Sequence, residues 1–170
     1  MPVGGGLLCG ASGLALLLAA VATRAWLQRR LPTGTASLGL WHACLGGHCH
    51  PHPSTPAFWE ATRVLMLLSV LTAAAGIALG VSVATSAARR ARARVAGGTL
   101  LLAGLLALLG LAVYTAATLS LLGPARAAWS FSWSYILGWV AVVLTGSAGL
   151  FHLCAAAKDL SPESSEVTGA

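Results

Sequence analysis

No asparagine occurs anywhere in the chain, and outside residues 159–170 the only acidic residue is Glu60. The first absence removes every Asn-linked glycosylation signal. The second removes paired carboxylates, and with them two-carboxylate acid–base catalysis. Charge of either sign is scarce: 8% of residues are charged, against about 25% in soluble domains. So few charges cannot cover a water-facing surface. With a 57% hydrophobic composition, the chain reads as an integral membrane protein forming one domain over residues 1–170. Other signatures are missing too. No serine stands in a glycine elbow, no phosphate-cradling glycine loop precedes a lysine, and no line of intramembrane charges marks an ion path. The expectation is a protein that is not an enzyme and needs no cofactor. The formal net charge is +6, but the arginines sit at the ends of apolar runs and not on one basic face. They face lipid headgroups in this reading, and nucleic acid is excluded as a partner.

What is present is apolar sequence in four runs, at about 3–23, 61–88, 96–122 and 132–157. Each reaches the roughly 20 residues that cross a hydrocarbon core. The fold class expected is all-α, a four-transmembrane-helix bundle with a long loop at 24–60 and a polar tail at 158–170. The first run contains Ala20-Val21-Ala22, which has the form of a leader cleavage site, but no basic residue precedes it, so it reads as a retained span. Trp26, Phe58, Trp59, Trp129, Trp133, Tyr135 and Trp139 read as interfacial aromatic anchors. Arg89, Arg90, Arg92 and Arg94 read as a basic turn between two spans. Arg63 reads as snorkelling to headgroups rather than pairing with a loop carbonyl or carboxylate. Gly76 and Gly80, four apart, leave a flat strip where another helix can come close. His152 has no histidine partner in another run, which argues against haem. The tail is serine-rich and acidic, reads as disordered, and contains the phosphorylation-type dipeptide Ser161-Pro162. Basic residues divide five and five between the two sides, so charge bias does not orient the bundle.

Leu38 to His50 is the one stretch where glycine, tryptophan, histidine and two cysteines converge. The prolines and glycines between Arg24 and Glu60 favour short strands, with a turn near Gly46-Gly47. Three chemistries compete there. Cys44 and Cys49 can form a structural disulfide across the turn. Alternatively His42, Cys44, His48, Cys49, His50 and His52 supply soft and borderline metal ligands, although their spacing matches no zinc pattern. Redox catalysis is the third, without a two-residue-spaced cysteine pair. The disulfide is favoured, and the four histidines stand as the weaker metal alternative. A disulfide persists in an oxidising compartment, which puts the loop outside and both termini in the cytoplasm.

The order of these features resembles the claudin and peripheral-myelin-protein superfamily. The resemblance rests on four spans, Trp26, then Gly39-Leu40-Trp41, then Cys44 and Cys49, and it covers nearly the whole chain. Ala57-Phe-Trp-Glu-Ala-Thr-Arg63 and Phe131 to Ala141 are similar to a lens branch of that family, with the epithelial membrane proteins next. It implies a left-handed bundle carrying a small extracellular antiparallel sheet, with Cys44–Cys49 as the family disulfide, Arg63 as a family position, and Trp41 wedging the sheet onto the bundle. It also implies C-linked mannose at Trp41 and Trp59. Glu60 departs from it, standing where the lens branch carries a glycosylated asparagine. The function implied is structural: cell–cell contact at a plasma-membrane junction through the first outer loop, in lens fibre cells by resemblance. The partners expected are membrane lipid and either a second copy or another membrane protein. The alternative is a regulator of membrane-protein assembly or trafficking, with its partner surface along Gly76 and Gly80.

Overall fold

The computed structural model describes residues 2–83, 85 and 87–158, so the expectations for the tail, including Ser161-Pro162, lie outside the described residues. Four helices are long and apolar enough to cross a membrane. They are α1 (Pro2–Ala22), α2 (Ala57–Val83), α3 (Arg89–Leu122) and α4 (Trp133–Lys158). α2 packs along α3, α3 along α4 and α4 along α1, while α1 and α2 touch less extensively. The chain is a multi-pass membrane protein.

Its interior reverses the soluble pattern. Leu8, Leu71 and Val143 lie well exposed, whereas Ala73, Ala103, Ala107, Ala141 and Ala148 are fully buried. In lipid, where tails are as apolar as leucine, helices associate by close backbone approach, and small residues permit it. Gly6, Gly10 and Gly13 of α1 recur at helical spacing and meet His152, Ala148 and Thr145 of α4, which recur in the opposite direction. The tightest crossing joins α3 and α4. A Cβ on Gly97 would lie 2.9 Å from the Gly149 carbonyl oxygen, and one on Gly149 would lie 2.8 Å from that of Gly97. Several hydroxyls in this interior are tied to backbone: Ser69 donates to the Ala103 carbonyl at 2.7 Å and Thr145 to the Ala141 carbonyl at 2.8 Å.

One expectation about the helices is corrected and another is refined. α3 begins at Arg89, so Arg89, Arg90, Arg92 and Arg94 form its first turns and not a loop. Arginine and alanine are both strong helix formers, and no glycine or proline interrupts them before Gly97. At 1.5 Å per residue the 34-residue α3 is about 50 Å long, so its arginine end projects beyond a hydrocarbon core of about 30 Å. Gly76 and Gly80 do let other helices come close, and those helices belong to the same chain. The Gly76 position is filled by Leu100 of α3, and Gly80 by His152 of α4 and Leu7 of α1. Helices of the same chain already occupy the strip, so it leaves no surface for a partner.

At one end of the bundle stands a five-stranded antiparallel sheet, ordered β4-β3-β2-β1-β5. Its strands are β1 (Leu27–Leu31), β2 (Gly34–Leu38), β3 (His42–Leu45), β4 (His48–Pro51) and β5 (Ser130–Phe131). The β3–β4 hairpin turns at Gly46-Gly47, with φ of 55° and 88°. Positive φ at both central residues is what a two-residue hairpin turn needs to match strand twist, and glycine supplies it. β5 comes from the other loop, following a short 3₁₀ helix, η1 (Gly123–Ala128). It pairs Phe131 with Leu27 and Ser130 with Gln28. Two residues are too few to betray a strand by alternation, so this closure of the sheet leaves no mark in the sequence.

Candidate functional site

The last carbonyls of a helix have no partner within it and must find one elsewhere. α1 ends at Ala22, and its final turn is capped by side chains from beyond the helix. The Thr23 hydroxyl donates to Ala19 O, the Trp26 indole N–H to Ala20 O at 2.7 Å, and the Trp41 indole N–H to Val21 O at 3.1 Å. Two motif tryptophans thus act as caps.

Trp26 is fully buried, with its ring edge-on to Tyr114 at 4.8 Å between centroids. Tyr114 also meets Trp59 at 5.5 Å, and Tyr135 reaches Trp26 at 6.2 Å. The cluster joins the sheet to all four spans: its rings come from β1's approach, α2, α3 and α4, and the Trp26 indole N–H bonds to Ala20 O of α1. This corrects the interfacial reading of Trp26, Trp59, Tyr135 and Trp139. Their rings pack inward, whereas Trp133 at the same end of α4 is 50% exposed and faces out. The aromatic density that suggested a belt is instead the joint between sheet and bundle.

Gly39-Leu40-Trp41 is pinned carbonyl by carbonyl. Gly39 O accepts from His52 Nε2 at 3.1 Å. Leu40 O accepts twice, from the Trp59 indole N–H at 2.9 Å and from Arg63 Nε at 2.6 Å. Trp41 O accepts from the His52 backbone N–H at 3.3 Å. Every carbonyl of the turn is therefore claimed by the stretch from His52 to the first turns of α2, so all its backbone acceptors are satisfied. Gly39 itself has no room for a side chain. A Cβ there would lie 2.7 Å from Arg24 Cα.

Arg63 corrects a second expectation. Its guanidinium does not snorkel to headgroups. It donates to Leu40 O, pairs with Glu60 at 2.6 Å and lies 5.0 Å from the Trp41 ring centroid. Arg63 lies one helical turn from the Glu60 carboxylate and beside the Leu40 carbonyl, so its guanidinium fork meets two acceptors at once. Trp41 is held by these contacts yet is 37% exposed. Trp26 and Leu40 are the fully buried side chains at the junction of sheet and bundle, whereas Trp41 bonds to Val21 O at the end of α1 and keeps part of its ring exposed. Of the two tryptophans considered for C-linked mannose, Trp41 presents its ring at the surface. Trp59 is buried against His52, Phe58 and Tyr114.

Cys44 and Cys49 face each other in register across β3 and β4 and form a disulfide. Arg24 Nη1 approaches Cys49 Sγ at 3.1 Å, tying the hairpin back toward the end of α1. Cys9 and Cys154 are free. Alkylation of the denatured, unreduced protein is expected to label two cysteines, rising to four after reduction. Labelling of all four before reduction would remove the disulfide from the site.

The metal alternative fails on geometry. Strand alternation puts His48 and His50 on one face of the hairpin and His42 on the other, and His52 is turned inward onto Gly39 and Trp59. Among the described residues no three His, Cys, Asp or Glu side chains come together as a metal-binding group. Sequence reasoning counted His52 with the loop histidines, whereas its position holds the Gly39 turn in place.

The arrangement as a whole is a rigid platform: a disulfide-locked sheet held on a helix bundle by indole, guanidinium and imidazole donors. The family profile described as PMP-22/EMP/MP20/Claudin matches residues 3–152. The chain is 45% identical over 156 residues to the lens fiber membrane intrinsic protein of Rattus norvegicus, covering 90% of each. The figure is 44% for the Homo sapiens protein, again over 90% of each chain. Claudin domain-containing protein 2 of Homo sapiens is 28% identical over 89% of this chain and 84% of its own. The match spans all but the ends of the chain, and the chain belongs to the PMP-22/EMP/MP20/Claudin family.

Proposed function

We propose that this protein has a structural, non-catalytic role and makes contact between apposed cells through the sheet, which stands outside the plasma membrane while both termini lie in the cytoplasm. The observation that carries the reading is the fixation of the sheet. A hairpin locked by Cys44–Cys49 and a turn with every carbonyl bonded present one unchanging surface, and a preorganised surface loses little freedom on binding. The orientation rests on the disulfide, which an oxidising exterior preserves. Exposed Trp41 and Leu45, 62% exposed at the hairpin tip, supply apolar contact. The partner is a second copy or another membrane protein on the facing cell. The name of the lens relatives supports lens fibre cells as a setting.

Cells displaying the full chain are expected to aggregate, and Trp41→Ala or the double change Cys44→Ser/Cys49→Ser to abolish aggregation at equal surface display. Mixing expressing with non-expressing cells separates the partners, since a second copy requires the protein on both. Aggregation that survives both variants at normal surface levels would sink the proposal.

A further inference from the structure

We propose that the cleft between β1 and η1 binds the phosphate of a phospholipid from the protein's own bilayer. This inference is independent of the contact function. The cleft has a volume of about 500 Å³, within the roughly 300–1,000 Å³ of small-molecule sites. Gln28, Arg29, Arg30, Thr35, Trp129 and Ser130 line it.

The β1–β5 ladder creates it. Pairing stops at Gln28 and Ser130, and one register step further Arg29 stands opposite Trp129, its Cζ 6.0 Å from the ring centroid. Arg30 pairs with Thr35 of β2, and residues directly opposite in an antiparallel pair share a face. Consecutive strand residues alternate faces, so Arg29, beside the indole, and Arg30, beside Thr35, flank the cleft from the two sides of β1, and the Gln28 amide and the Thr35 and Ser130 hydroxyls line it with them.

The charge of this cleft is uncompensated. The single acidic residue among the described residues is Glu60, and it is paired with Arg63. A planar guanidinium matches tetrahedral oxyanions bidentately, so the missing counter-charge is an anion with several acceptor oxygens.

Depth selects which anion. η1 and β5 rise from the end of α3, where Leu121 is 67% exposed to lipid, and return to α4, where Trp133 and Ile136 face outward. The connection therefore lies at the hydrocarbon edge. Headgroup layers add about 10–15 Å to the hydrocarbon core, shared between its two faces. Interfacial tryptophan belongs to that layer, and so do lipid phosphates, at very high local concentration. A free phosphate ion would fill a small part of the volume, whereas a headgroup with its glycerol fills more of it.

The test uses the full chain in detergent micelles, with native mass spectrometry after addition of phosphatidylglycerol. Retained lipid adducts are expected, reduced about tenfold in Arg29→Gln/Arg30→Gln. The charge-matched control Arg92→Gln/Arg94→Gln, at the opposite end, is expected to keep them. A photo-cross-linker at Thr35 in otherwise unchanged protein provides a readout that does not depend on the arginine variants folding, and is expected to capture the lipid. The proposal is overturned by equal retention of diacylglycerol, by equal loss in the control, or by no lipid captured at position 35. Displacement of the lipid by millimolar inorganic phosphate, or by a sulfated oligosaccharide, would overturn it in favour of a soluble anion.

Discussion

Replacing Trp26 by alanine is expected to cost about 3–5 kcal/mol, the range for deleting a buried large aromatic. Three losses coincide. The indole is fully buried, so its removal leaves a cavity flanked by Tyr114 and Tyr135, and edge-to-face contacts contribute about 0.5–1.5 kcal/mol each beyond area burial. Ala20 O also loses its donor, and an unsatisfied buried carbonyl costs about 1–3 kcal/mol. Trp26→Phe keeps a ring but not the N–H, so an intermediate loss is expected. Reversible unfolding in mixed detergent micelles measures both. A loss below about 1 kcal/mol for the alanine variant would mean that the cluster repacks and that Trp26 is not the joint between sheet and bundle.

The second large effect is expected at Gly39→Ala. Overpacking costs about 1–3 kcal/mol and occasionally more, and this site belongs at the upper end. The added methyl would meet Arg24 Cα at 2.7 Å and Thr23 O at 3.1 Å. Both are backbone atoms, so no side chain can swing aside. Relief requires the turn to lift, which lengthens the bonds from His52 to Gly39 O and from Trp59 and Arg63 to Leu40 O. Gly98→Ala is the control. A Cβ there meets nothing within 4 Å, and in a helix alanine is favoured over glycine by about 0.5–1 kcal/mol. Opposite signs for the two substitutions are expected in the same unfolding assay. Equal, small effects would show that the Gly39 turn is not held against the end of α1.

Much of the architecture was legible because the relevant signals are long or chemically distinctive. Four apolar runs define four spans by length alone, and Gly46-Gly47 between strand-like segments defines a hairpin. The pairing of Cys44 with Cys49 follows from a turn that sets them opposite each other. What could not be read depends on partners distant in the chain. Snorkelling and capture by Leu40 O have the same local sequence around Arg63, and only the fold brings that carbonyl within 2.6 Å. His52 resembles its neighbouring histidines until the chain reverses and delivers it to Gly39. Gly76 and Gly80 advertised a helix contact by spacing, whereas the closest backbone approach is at Gly97 and Gly149, which lie 52 positions apart with no spacing to link them. Trp26 and Trp59 were placed at the lipid boundary because composition cannot tell an aromatic belt from an aromatic core at the same height.

The short pairing of β5 with β1 has a mechanical consequence. Without it the backbone of the sheet would join α1 and α2 alone, and only ring contacts would pass a pull on the hairpin tip to α3 and α4. Phe131 and Ser130 bond to Leu27 and Gln28, and beyond them Ser132 N–H donates to Trp26 O and Ser134 N–H to Ala25 O. These bonds splice the connection between α3 and α4 onto the same strand. Tension applied to the sheet is thereby shared through backbone bonds between the α1–α2 and α3–α4 halves of the bundle.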